Sequence, residues 1–426
     1  MNRRDFIKAS ALAGLAIAAP LPFSKMARAE TLGPYQGPLW ITINATGGWD
    51  PTMVCDPKGN TINQSFNEGD ILQYGNLKVA PNPNTPSLQS WFETYYKDIL
   101  VINGIDTATL NHGPGRRNIW SGQLGDGNPN VAALVAACAQ PDAPMAFINE
   151  GGFEDTAGVI TATRANSNNL GFFKKMANPN YVDKEGTGTY FEDDVLEVMH
   201  EARKARLERQ LSGKTLPRVK HSLSTLNIAR MGQGKLKKLL THLENPQGNT
   251  QLIRQAKLVL AAYEAGLAVS AHLSVSGFDT HGDHDNTQGM ALEELFEGVK
   301  FITDEVVSRG MEDNVIIAIS SDFARRPVYN GGNGKDHWAY TSMVLYGPGH
   351  FKGNRVAGGT TQDGQDATRV DPNDIFGSTY SDADQSKTRI RPSHIHQAMR
   401  DLAGISENPV TQNFPLMTDV TMPFFS

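Results

Sequence analysis

Aspartate and histidine recur in four short polar stretches of the chain: GGWD at 47–50, GFDTHGDH at 277–284, SSDFARR at 320–326 and GKDHW at 334–338. They supply the candidate donors Asp50, Asp279, His281, His284, Asp322 and His337. Carboxylates and neutral imidazoles are the usual protein ligands of zinc, and carboxylates also suit magnesium, manganese and calcium. The chemistry on offer is capture of a divalent cation, and the residue types leave its identity open among these four. Each stretch also has a structural reading. Asp50 after two glycines can cap a helix, and His337 can occupy a surface turn. Asp279, Asp283 and Asp285 suggest a calcium loop, but the register of an EF-hand is absent.

Weight comes from the elements that precede these stretches. LWITINATGGWD (39–50), DILVINGID (98–106), PMAFINEGG (144–152), LAVSAHLSVSGFDTH (267–281), NVIIAISSDFARR (314–326) and TSMVLYGPG (341–349) are apolar runs that break off in turn residues. Runs of this kind, without polar alternation, predict strands covered on both faces, as in a parallel sheet. Helices are predicted between them. One carries Leu292, Leu295, Phe296, Val299, Ile302 and Val306 on a single face, another Leu252, Ala256, Val259, Tyr263 and Leu267, and a short apolar one spans 130–139. Strands alternating with helices imply an α/β sandwich, whose ligands bind beyond the carboxyl ends of the strands. The four polar stretches belong there. Residues 190–246 are charged and helical and predict a helical insertion beside the sheet. Residues 353–391, rich in Gly, Asp, Thr and Ser, predict a long surface loop.

The order and spelling of these stretches resemble the alkaline phosphatase/sulfatase superfamily. More closely, they resemble the exported family called domain of unknown function 1501, with its Gly-Gly-x-Asp, Asp-Thr-His, Asp-Phe-x-Arg and Asp-His-Trp stretches in this order. The similarity covers most of residues 38–350. It implies an alkaline phosphatase-like α/β/α sandwich with a mostly parallel central sheet and a helical insertion. It also implies that Asp50 and Asp322 help hold one metal, and that Asp279, His281 or His284, and His337 hold another. Two such ions would clamp the oxygens of a phosphoryl or sulfuryl transfer. The nucleophile departs from the pattern. In HGPGRRNIWSG (112–122), Pro114, Arg116, Ser121 and Gly122 fit the sulfatase frame and put His112 where the nucleophile stands. A histidine can form a phosphohistidine, ligate a metal or act as general base. His112 and Arg116 are therefore the catalytic candidates. Phe323 replaces a histidine common in phosphatases, which removes one expected ligand. Arg325 or Arg326 is a guanidinium for an anionic group, or a surface pair.

The first residues address the chain. MNRRDFIKAS, the apolar ALAGLAIAAPLP and the Ala-x-Ala pattern ending at Ala29 read as a signal peptide over 1–29. Arg3-Arg4 with Phe6 and Lys8 resembles the twin-arginine export motif, so the export machinery is an expected partner and the periplasm or the exterior the destination. The expected mature domain, 30–426, retains 34 basic and 44 acidic residues, a balance of −10. This acidity argues against nucleic acid, and no later run has the length of a membrane span.

Cys55 and Cys138 read as two buried thiols, with a disulfide as the alternative. Of the other histidines, His200, His221 and His242 are expected on solvated helix faces, His272 as a satisfied core residue, and His394 and His396 as helix caps or solvent-facing residues. The functional expectation is a metal-dependent hydrolase of an anionic phosphate or sulfate ester, on a small molecule or a polymer. The alternative is a non-catalytic periplasmic binding or assembly protein on the same scaffold.

Overall fold

All six apolar runs contribute strands to one sheet. The computed structural model describes residues 35–426 except 61, 154, 165–173, 175–176, 183–187, 213–215, 217–218, 220–221, 224–232 and 244–249. The expectations for residues 1–29 and for His221 lie outside the described residues. The strands are β1 (Leu39–Ala45), a small hairpin of β2 (Leu72–Tyr74) and β3 (Leu77–Val79), β4 (Ile99–Asp106), β5 (Phe147–Asn149), β6 (Ala162–Thr163), β7 (Ser270–Val275), β8 (Val315–Ser321), β9 (Ala324–Tyr329), β10 (Lys335–Trp338), β11 (Tyr340–Tyr346) and β12 (Arg355–Gly358). Eight of them form the central sheet in the order β12-β4-β11-β8-β1-β7-β5-β6. Only β11 runs against its neighbours in that sheet. The fold is an α/β sandwich with a mostly parallel central sheet.

Alternate residues of each strand enter opposite cores. From β1, Leu39, Ile41, Ile43 and Ala45 pack on one face and Trp40 on the other; from β8, Val315, Ile317 and Ile319 oppose Ile316 and Ala318. The helices are α1 (Pro86–Tyr95), α2 (His112–Ser121), α3 (Val131–Ala139), α4 (Asp193–Ser212), α5 (Gln233–His242), α6 (Gln251–Glu264), α7 (His284–Ser308) and α8 (Pro392–Leu402). Buried residues of α1, α6 and α7 join the first core, and those of α2, α3 and α8 the second. Each buried aliphatic side chain contributes about 1.5–3 kcal/mol, so double-sided burial explains why the strands read as unbroken apolar runs.

Two regions differ in detail from expectation. Within 190–246 the described residues form α4, which is largely exposed, and α5. Residues 353–391 are more than a surface loop, because β12 extends the sheet edge against β4 and Arg369–Val370 pairs with Thr388–Arg389. The segment also buries Ala357, Ala367, Val370, Ile375 and Ile390. Its strands are too short to leave a period in the sequence. Among the described residues, no helix is long and apolar enough to cross a membrane.

Candidate metal centre

Because β1, β4, β7 and β8 are co-directional, their carboxyl ends meet on one edge of the sheet. The chain leaves β1 into Gly47-Gly48, β4 toward His112, β7 into Asp279 and His281, and β8 into Asp322. The antiparallel hairpin of β9 and β10 then returns His337 to the same edge. Two glycines permit the close approach. A Cβ on Gly47, whose φ is +124°, would stand 2.5 Å from the Asp279 nitrogen, and one on Gly115 would stand 2.4 Å from the Asp322 carbonyl oxygen. Neither overlap is tolerable for an L side chain.

His112, Asp279 and His337 each offer a ligand atom, and these atoms lie within 4.8 Å of one another. His281 joins them, its Nε2 being 3.2 Å from Asp279 Oδ1 and 3.0 Å from His337 Nε2. The opposite ring nitrogens are already committed. His337 Nδ1 lies 2.7 Å from the Leu110 carbonyl oxygen, His281 Nδ1 2.9 Å from Asp336 Oδ1, and His112 Nδ1 2.9 Å from Asp322 Oδ2. A carbonyl or carboxylate oxygen only accepts, so each Nδ1 carries the hydrogen. In the neutral rings the three Nε2 atoms then present lone pairs to Asp279. Lone pairs turned on a carboxylate require a positive charge among them, a proton or a metal cation. Imidazoles oriented through Nδ1 by carboxylates and carbonyls are also the arrangement that prepares Nε2 for a metal.

The supports are specific. Asp322 is fully buried and accepts from Asn44, the Gly47 N–H and His112. Phe323, also fully buried, packs its ring 4.8 Å from His112 and 4.3 Å from His337 between centroids. Phe323 thus supplies an apolar floor for two imidazoles. Burial lowers His337, and the neighbouring Arg325, His112 and His281 add to that against its bond to Leu110. Slight burial would raise the Asp279 carboxyl, but the Arg325 guanidinium, 2.7 Å away, holds it below the ordinary range. Asp336 is likewise held low, first by the hydrogen bond from His281.

Residues 41–412 match the family described as "Protein of unknown function (DUF1501)". The chain belongs to the DUF1501 family. A comparison with curated proteins gives no match. Among solved structures, this DUF1501 chain is similar to Ps i-CgsB at 12% identity, covering 92% of this chain and 76% of that one with a TM-score of 0.42. It is similar to the PsFucS1 sulfatase from Pseudoalteromonas sp. at 10% identity, covering 88% and 69%, with a TM-score of 0.35. It is also similar to the alkaline phosphatase of the Antarctic bacterium TAB5 at 12% identity, covering 74% and 93%, with a TM-score of 0.30.

Two of the expected metal ligands stand apart from the DUF1501 cluster. Asp50 and His284 are fully buried together, with His284 Nε2 3.0 Å from Asp50 Oδ2. The same oxygen accepts from the buried Lys335 ammonium at 2.7 Å. Asp50 also caps the turn Pro51–Met53 through the Thr52 N–H, and Thr280 Oγ1 sits 2.7 Å from His284 Nδ1. Both Asp50 oxygens are engaged within the protein, Oδ1 by Thr52 and Oδ2 by Lys335 and His284, and neither Asp50 nor His284 belongs to the cluster. Burial would raise Asp50, but Lys335 and His284 drive it far below its ordinary range. His284 is lowered by burial against the opposing pull of Asp50. Among the described residues, no group of three metal donors contains Asp50 or Asp322.

The arginines also separate. Arg325 is fully buried and spent on structure, donating to the carbonyls of Gly47, Gly48 and Lys335 besides Asp279. Arg326 is exposed beside the Trp338 ring and lines an open cavity of about 370 Å³ with Leu110, His281, Asp336, His337 and Trp338. Arg116 lies beneath His112, its Nε 3.9 Å from Asp322 and its Nη1 over Gly152, outside that cavity wall.

His200 and His242 are exposed as expected. His272 is a core residue, yet its Nε2 has no hydrogen-bond partner among the described residues. His394 does cap α8, accepting from the Arg391 N–H, but it is buried; His396 is buried too and donates to the Ile119 carbonyl. Cys55 and Cys138 are free thiols.

Sequence reasoning missed Lys335, Phe323 as a support, and the Leu110 carbonyl. The stretch GKDHW did contain a signal for Lys335, a lysine two residues before a ligand candidate, but lysines default to solvent.

Proposed function

We propose that this protein is an exported hydrolase of phosphate or sulfate esters whose divalent cation is held by His112, Asp279, His281 and His337. One observation carries the reading: three imidazoles, each committed through Nδ1, turn Nε2 toward one carboxylate. This imidazole-rich donor set suits zinc or manganese ahead of magnesium or calcium. When bound, such a cation lowers the pKa of a coordinated water and polarises an ester oxygen. The chain's own part is to orient and to bind. Asp322 fixes His112 at the first position of α2, whose N-terminal end favours negative charge. Arg326 offers its guanidinium to an anionic group entering the cavity beside Trp338.

The test combines elemental analysis with hydrolysis of nitrophenyl phosphate and nitrophenyl sulfate. Metal retention with ester cleavage, both lost in His337→Ala, supports the reading. Export by the twin-arginine route is part of it, and Arg3-Arg4→Lys-Lys should leave the precursor inside the cell. The second reading, a non-catalytic binding protein, draws on His112 standing where the family's relatives carry a nucleophile. Metal-free protein that holds a ligand and cleaves neither ester would favour it.

A further inference from the structure

Three separate pieces of chain meet beside the cluster: the loop after β1, and the loop between β7 and α7 and the β9–β10 hairpin, which carry Asp279, His281 and His337. A second polar assembly beneath it takes one residue from each. Asp50 comes from the first, His284 from the second and Lys335 from the third, and all three are fully buried. Lys335 Nζ donates to Asp50 Oδ2 at 2.7 Å and to Asn63 Oδ1 at 2.8 Å, and it lies 4.9 Å from the centroid of the Tyr329 ring. His284 Nε2 meets the same Asp50 oxygen at 3.0 Å.

We propose that the Asp50–Lys335 ion pair, completed by His284, is a lock that positions the hairpin carrying Asp336 and His337 against the loop carrying Asp279 and His281. Sequence separation argues for a tertiary role, since the paired residues are 285 positions apart. The backbone argues for it as well. The Lys335 N–H donates to the Thr280 carbonyl at 3.0 Å, and the Lys335 carbonyl accepts from Arg325 Nη1 at 2.9 Å. Lys335 is therefore held at side chain, nitrogen and carbonyl, two residues before His337. His284 is three residues beyond His281 and opens α7. Displacing either end moves an imidazole of the facing pair. In this account Asp50 and Lys335 are positioning residues that never touch substrate. The lock concerns placement alone and stands whichever ion or ester the cluster handles.

The test separates positioning from simple stability. Asp50→Asn or Lys335→Met alone leaves a buried charge without its partner, so each lowers the melting temperature. The double variant D50N/K335M buries no charge and should recover most of the wild-type melting temperature. It restores no hydrogen bond between positions 50 and 335, however. We expect hydrogen exchange of the amides of 330–338 in the double variant to rise at least about tenfold, and its zinc affinity by calorimetry to fall about 10–100-fold, the usual cost of losing an orienting shell. A double variant with wild-type exchange across 330–338 and wild-type zinc affinity overturns the lock. If the wild type itself takes up no zinc, the function proposed above loses its support, and the exchange measurement still decides the lock.

Discussion

The Nε2 atoms of His281 and His337 face each other at 3.0 Å while both Nδ1 atoms are engaged elsewhere, one by Asp336 and one by the Leu110 carbonyl. Two neutral imidazoles so arranged turn lone pair on lone pair. A cation between them, or a shared proton, resolves the conflict, and the neighbouring Asp279 carboxylate adds the negative charge that favours a cation. The proposed metal site rests on this relationship.

The Asp322–His112 bond should matter for metal affinity more than for fold. Asp322→Asn keeps the shape but turns one acceptor into a donor opposite His112 or Gly47. The expected loss of zinc or manganese affinity is about 10–100-fold, read by calorimetry. Unchanged affinity would remove His112 from the ligand set.

Acid should destabilise the protein through two buried histidines. Burial lowers His272 to about 3, helped by Arg116, and lowers His396 to about 4 despite its bond to Ile119. In the unfolded chain both sit near about 6.5, so between about pH 6.5 and 4 the unfolded state binds more protons. Stability therefore falls as the pH drops through that window, by up to about 1.4 kcal/mol per pH unit for each group. His396→Gln should flatten the slope in a calorimetric series from neutral to acid pH. Equal slopes would contradict the assignment.

Arg325→Lys tests the buried guanidinium. Lysine cannot reproduce a fork that serves the carbonyls of Gly47, Gly48 and Lys335 together with Asp279. The variant should lose about 3 kcal/mol by denaturant unfolding, the scale of several buried acceptors left short of donors. A loss under about 1 kcal/mol would mean that water replaces the fork without cost.

The α/β fold was legible because double-sided burial writes strands such as Leu39–Ala45 and Val315–Ser321 as continuous apolar runs. Strand direction leaves no such trace, so the reversed β11 was not foreseeable from TSMVLYGPG. The polar stretches after the strands located the site, since parallel strands bring their carboxyl ends together. Which Asp or His enters the cluster was a different matter. Asp50 and Asp322 follow strands in the same way, yet Lys335, 285 residues from Asp50, decides that Asp50 is neutralised within the core. His394 and His396 looked like helix-end residues because their partners, Asp419 and the Ile119 carbonyl, come from distant segments.

The most direct measurement is elemental analysis of the protein purified without chelator, set beside His337→Ala. His337 is partly exposed and bound to one carbonyl, so its removal should spare the fold. The account predicts a near-stoichiometric divalent metal, zinc or manganese first, in the wild type and its loss in a folded variant. A wild-type protein without metal, which takes up none of zinc, manganese, magnesium or calcium when they are supplied, would contradict it.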